Sequence, residues 1–195
     1  QLIYNYKDHN VYLVNDGKEL KDVVASVKVY DDKSVLLYED NCTLGTSYRN
    51  TVKAFDLNRF AGSPHFIFLE IADTDGSLIT DNFYSIGANA NKYDWDNEAW
   101  FHSPITEYTD LRFAFSQPEA EVEMAVENRD GAYIVTLSNK SDVVSYMNIL
   151  KAKDSDGNLV VPAYWSDNFF PLFPGQTKTI FCRTKDQNVK FEVSR

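Results

Sequence analysis

Apolar and polar residues alternate with period two over short windows of the chain. Val11 and Leu13, Val27 and Val29, Phe66 and Phe68, Val122, Met124 and Val126, and Tyr133, Val135 and Leu137 each place one set of side chains on a single face of an extended segment. That alternation is the mark of a half-buried strand. Between the windows stand Asn15-Asp16-Gly17, Asp73-Thr74-Asp75-Gly76, Asn128-Arg129-Asp130-Gly131 and Asp154-Ser155-Asp156-Gly157, Asx-Gly signals that supply the positive φ of a tight hairpin. The pattern predicts strands near 9–15, 24–31, 34–40, 47–54, 65–73 and 78–86, and again near 121–128, 132–138, 145–153, 158–162, 177–183 and 188–193. Short strands punctuated in this way predict an all-β chain built of antiparallel sandwiches.

Length divides that prediction in two, because 195 residues suit a pair of sandwich domains of about 100 residues each. Hydrophobic residues make up 44% of the chain and aromatics 14%, enough large side chains for two cores and too many for a disordered chain. No apolar run approaches the length of about 18 residues that crosses a bilayer as a helix. A net charge of −10, with Lys and Arg scattered, excludes a phosphate-binding surface and so a nucleic-acid partner. The chain opens at Gln1 without an initiating Met or a signal-peptide pattern, which suits a piece of a longer protein. Cys42 and Cys182 fall one in each half, so neither a disulfide nor a zinc site is expected, and no cofactor either.

From Ala88 to about Leu111 the alternation breaks. Asn89, Asn91, Asp94, Asp96, Asn97 and Pro104 are interspersed there with Tyr93, Trp95, Trp100, Phe101 and Tyr108. The organisation that follows is a sandwich over residues 1–88, an aromatic-rich connector over 89–112 and a second sandwich over 113–195. Apolar area is costly to leave in water, at about 25 cal/mol per Å². The connector is therefore expected to bury its aromatics against one or both sandwiches and to fix their angle.

Candidate chemistry is sparse. The Asp-x-Asp-Gly pairs at 73–76 and 154–157 resemble the opening of a calcium loop, but the twelfth position, which needs a bidentate Glu, holds Asn82 in one case and Ala163 in the other; they are read as hairpin turns. No Gly-x-Ser-x-Gly elbow occurs, and His9, His65 and His102 lie in or beside strands or the connector. His102 is expected to be packed. The aromatic clusters remain. Trp and Tyr faces stack on sugar rings while Asp and Asn take hydroxyls, so Trp95, Trp100 and Tyr108 in the connector, and Trp165 with Asp167 and Asn168, are the candidate interdomain or sugar-contact residues. For Trp165, Asp167 and Asn168 the preferred role is to organise the end of the second sandwich, with side chains accepting hydrogen bonds from loop amides.

The segment that runs from Val161-Pro162-Ala163-Tyr164-Trp165-Ser166-Asp167-Asn168 through Leu172-Phe173-Pro174-Gly175 resembles a loop of family 2 glycoside hydrolases of the exo-β-glucosaminidase and β-mannosidase type, where Pro-x-x-Trp-Ser-Asp-Asn precedes Leu-x-Pro-Gly. Asp81-Asn82-Phe83-Tyr84, Tyr93-Asp94-Trp95, Ala99-Trp100-Phe101-His102-Ser103-Pro104 and Tyr108-Thr109-Asp110-Leu111 look like the connector between the last two domains of those enzymes, in the same order, over roughly residues 80 to 180. The chain departs from the pattern at Phe83-Tyr84-Ser85-Ile86, where many relatives carry Tyr-Trp-Leu-Ser.

The resemblance implies two immunoglobulin-like sandwiches in tandem that follow a (β/α)8 barrel in the parent enzyme. The catalytic acid and nucleophile belong to that barrel, and neither has a matching position here. It implies a non-catalytic accessory region whose partners are the catalytic barrel and N-terminal domains of the parent, a retaining exo-β-glycosidase. It also favours a periplasmic or extracellular setting for a polysaccharide-degrading bacterial parent. The alternative is a carbohydrate-binding or adhesion module that uses its exposed aromatics.

Overall fold

A computed structural model describes residues 1–129, 132–186 and 188–194. The Asn128-Arg129-Asp130-Gly131 turn therefore lies partly outside the described residues. The chain divides into two compact units, Gln1–Phe115 and Ser116–Arg195. Strands dominate both, and among the described residues no helix is long and apolar enough to cross a membrane.

In the first unit β1 (Leu2–Asn5), β2 (Asn10–Asn15), β3 (Leu20–Asp31), β4 (Leu36–Thr46), β5 (Asn50–Asp56), β6 (His65–Ala72) and β7 (Leu78–Ile86) form two antiparallel sheets, ordered β1-β2-β5 and β4-β3-β6-β7. Leu2, Tyr4, Val11 and Leu13 of the first sheet share one core with Ala25, Val27, Val29, Ile67, Leu69 and Ile71 of the second. Burying each such aliphatic side chain contributes about 1.5–3 kcal/mol. On β6 the inward set is Ile67, Leu69 and Ile71, one residue out of step with the predicted Phe66 and Phe68, although these two are also buried. Phe66 meets the Phe113 ring at 5.0 Å, from the short helix α1 (Arg112–Phe115). A strand covered on both faces reads as a continuous apolar run, and alternation alone cannot choose its inner side.

In the second unit β10 (Val122–Arg129), β11 (Ala132–Asn139), β12 (Ser145–Lys153), β13 (Ala163–Trp165), β14 (Phe170–Leu172), β15 (Thr177–Thr184) and β16 (Lys190–Ser194) form sheets ordered β10-β11-β15-β13 and β14-β12-β16. Val135, Leu137 and Ile180 of one sheet cluster with Leu150, Phe170 and Leu172 of the other. Each unit is thus a two-layer antiparallel sandwich. The strand expected near 158–162 does not form. Only Leu159 bridges back to Lys153, and extended pairing resumes at β13.

Three turns share one geometry. Asp73 Oδ1 accepts from the backbone amides of Asp75 and Ser77, Asp154 Oδ1 from those of Asp156 and Asn158, and Asp31 Oδ1 from those of Lys33 and Val35. The fourth residue has positive φ in each, at Gly76, Gly157 and Ser34. The carboxylates that suggested calcium are spent on turn amides. Asn15-Asp16-Gly17 works differently. Gly17 is not at positive φ; instead the Asn15 carboxamide accepts from the Gly17 amide and donates to the carbonyls of Lys18 and Ser47.

Candidate functional site

Residues 89–112 belong to the first unit and fold as an arm. Its two legs are β8 (Lys92–Tyr93) and β9 (Ile105–Glu107), paired antiparallel. A Lys92–Glu107 ion pair at 2.7 Å, the Thr106 hydroxyl donating to the Lys92 carbonyl and the Asp94 amide donating to the Pro104 carbonyl tie the legs together. The Thr109 amide donates to Asn91 Oδ1 at the base. There the returning leg crosses Gly87, where a Cβ would collide with Thr109 Oγ1 and stand 2.9 Å from the Asp110 carbonyl oxygen; only glycine admits so close an approach. Beyond the legs a 3-10 turn, Trp95–Asn97, is capped by Asp94, whose carboxylate accepts from the Asn97 amide and carboxamide.

The arm ends in a tight turn. Ala99 and His102 exchange both backbone hydrogen bonds, so Trp100 and Phe101 are its two central residues. Tight hairpins ordinarily place Asn or Gly there. The Trp100 indole is 95% exposed and the Phe101 ring 74%, packed edge to face at 5.2 Å. Tyr93 and Trp95 stack at 5.2 Å and 28°, and Tyr108 is exposed as well. The expectation that these aromatics are buried is thereby corrected. The turn holds Trp100 at the tip of a projecting hairpin, where no described residue covers it. His102, expected to be packed, is exposed in the same turn. Phe101 and Tyr93, which the sequence placed among the connector's aromatics but not among its candidate contacts, join them here; the turn itself was not legible because nothing in Ala99-Trp100-Phe101-His102 carries the usual signature of one.

In the second unit the loop after β13 is held from within. Ser166 continues the pairing with β15: its amide donates to the Phe181 carbonyl and its hydroxyl accepts from the Phe181 amide, each at 2.9 Å. Trp165 sets its ring edge on Phe191 at 5.7 Å and packs against the core. The Asp167 carboxylate accepts from the Asn168 amide and pairs with Lys178 at 2.9 Å. Asn168 imitates a strand residue. Its Oδ1 accepts from the Leu150 amide at 2.8 Å and its Nδ2 donates to the Leu150 carbonyl at 3.0 Å, the two bonds a peptide unit would make to β12. The loop's polar groups are therefore largely committed to backbone. The structure thus places Trp165 at the end of β13 with Asp167 and Asn168 in the loop that follows it, and Trp95, Trp100 and Tyr108 along one arm.

Among the described residues no three His, Cys, Asp or Glu side chains gather as a metal site would require. Cys42 and Cys182 are both free thiols.

Residues 100–194 match the family model of the exo-β-D-glucosaminidase immunoglobulin-fold domain. The exo-β-D-glucosaminidase of Arthroderma benhamiae is 28% identical over 181 residues, 88% of this chain and 20% of the relative. That of Streptomyces avermitilis is 25% identical over 198 residues, 94% of this chain and 22% of the relative. Among solved structures, the exo-chitosanase of Amycolatopsis orientalis superposes over 100% of the chain with a TM-score of 0.84 at 21% identity, and the β-D-mannosidase of Dictyoglomus thermophilum over 98% with a TM-score of 0.63 at 15%; both show the fold. The chain spans about a fifth of the length of the curated relatives it matches. Both units have sandwich architecture, and the C-terminal half of the chain is similar to the immunoglobulin-fold domain of the exo-β-D-glucosaminidases.

Proposed function

We propose that the chain is a non-catalytic accessory region of a family 2 glycoside hydrolase, a retaining exo-β-glycosidase of the exo-β-glucosaminidase or β-mannosidase type, and that it packs on and stabilises the parent's catalytic barrel. The observation that carries this reading is the arm tip. A hairpin that presents Trp100 and Phe101 almost wholly to solvent forgoes the burial that normally retains such residues, and contiguous exposed apolar surface of this kind marks an interaction site. The arm is braced by its own ladder and ion pair, so it keeps its shape while waiting for a partner. Catalysis on this reading belongs to the barrel, and the sandwiches contribute surface and stability.

The test separates the two settings. In the 195-residue chain Trp100→Ala with Phe101→Ala should change stability by no more than about 0.5 kcal/mol, because nothing is uncovered. In the full-length parent the same pair should lower the thermal midpoint by several degrees while KM stays unchanged. An unchanged midpoint with a raised KM in the parent would move the arm from packing to substrate contact. The stacked Tyr93–Trp95 pair favours that second reading, a carbohydrate-binding surface, because parallel exposed rings are the geometry on which a sugar face rests.

A further inference from the structure

At the base of the arm the first unit encloses a cavity of about 500 Å³, within the range of about 300–1,000 Å³ common for small-molecule sites. Two features distinguish it. Tyr4, Tyr6 and Tyr93 contribute aromatic rings and His9 an imidazole to its wall, Asn89 and Asn91 contribute carboxamides, and small or aliphatic residues supply most of the rest. A quarter of the chain is Asp, Glu, Lys or Arg, yet none of the described residues lining the cavity is one of these.

The wall is also stiff. The Tyr4 hydroxyl lies 2.6 Å from His9 Nδ1, and Tyr4 and Tyr6 pack edge to face at 5.2 Å. Tyr84, 6.1 Å from Tyr6, is held in turn by a hydrogen bond from the Asn82 carboxamide. Tyr6 itself remains 61% exposed, a ring fixed on one side and open on the other. Rigid aromatic faces, carboxamide groups and the exclusion of fixed charge fit a neutral ring compound with one apolar face and many hydroxyls. We propose that this cavity is a binding site for a neutral pyranose residue, stacked on Tyr6 or Tyr93 and hydrogen-bonded by Asn89 and Asn91. The site is separate from the arm tip and does not depend on the accessory reading.

Saturation-transfer NMR and calorimetry on the 195-residue chain would test it, with methyl β-D-glucopyranoside, N-acetylglucosamine and glucosamine as probes. The expected result is millimolar binding of both neutral sugars. Tyr6→Ala should weaken it at least tenfold and Ala61→Trp, which fills the mouth from an exposed position, should abolish it. Both variants should keep the parent chain's circular-dichroism melt. No transfer from either neutral sugar would overturn the proposal. So would binding indifferent to both folded variants, or a tenfold preference for the cationic glucosamine, which a lining without Asp or Glu does not explain.

Discussion

At the scale of single residues the second unit turns on Asn168. A carboxamide that accepts from the Leu150 amide and donates to the Leu150 carbonyl substitutes for a missing strand residue, and removing it orphans two main-chain groups at once. An unsatisfied buried donor or acceptor costs about 1–3 kcal/mol. Asn168→Ala should therefore destabilise the chain by about 2 kcal/mol, seen as a fall of several degrees in the thermal midpoint. Asp167→Ala should cost less, about 1 kcal/mol, because its partners are the Asn168 amide and a Lys178 ammonium on a half-exposed surface, where ion pairs contribute little. Equal losses from the two variants would contradict the strand-mimic role. The sequence pointed to this loop and to side-chain acceptors within it, since a long segment between two strands must satisfy its amides locally. It did not point to Asn168 as the principal member, because the partner strand lies 18 residues away and no local pattern announces that pairing.

At the scale of elements the recurring Asp-anchored turn decides where strands end. The same five-residue geometry closes the β3–β4 hairpin, the β6–β7 hairpin and the turn after β12, with the carboxylate in the first position and a left-handed residue in the fourth. Gly157 and Gly76 sit there with no atom within 4 Å of a built Cβ, so Gly157→Ala should cost about 1–2 kcal/mol through the backbone alone. A denaturant midpoint shift with an unchanged m-value would confirm it, and no shift would mean the turn has another conformation in solution. The two glycine-bearing turns were legible in the sequence as Asp-x-Asp-Gly. The third was not, because Ser34 replaces the glycine. Strands bounded by such turns were likewise legible, and β7 and β12 fall on the residues where alternation placed them. β14 was not. Three residues buried throughout, with a proline in the middle, offer neither alternation nor length. The arm escaped for the converse reason: its two- and three-residue legs are too short for a period, and its aromatics suggested a core where the structure has a projecting hairpin.

At the scale of the whole molecule, stability should fall as tyrosines ionise. Burial, with smaller contributions from Tyr6 and Asp8, pushes the Tyr4 hydroxyl up to about 12 from 10.0. Burial, with Glu39 and Glu70, does the same for Tyr30. Both belong to the first unit. A group whose folded-state pKa is raised favours the folded state while it keeps its proton, so this stabilisation is complete below pH 10 and drains away between pH 10 and about 12. Burial raises the Cys42 and Cys182 thiols in the same direction, so the decline begins just below the tyrosine range. Together the two hydroxyls set an upper bound of a few kcal/mol, a large share of what holds a single domain together. Denaturant melts across this range should show a progressive loss accompanied by tyrosinate absorbance, and Tyr30→Phe should flatten the slope by removing one of the two largest contributors. A denaturation midpoint constant up to pH 12 would mean that these rings already ionise freely in the folded chain, and that the core of the first sandwich is more open to water than its packing implies.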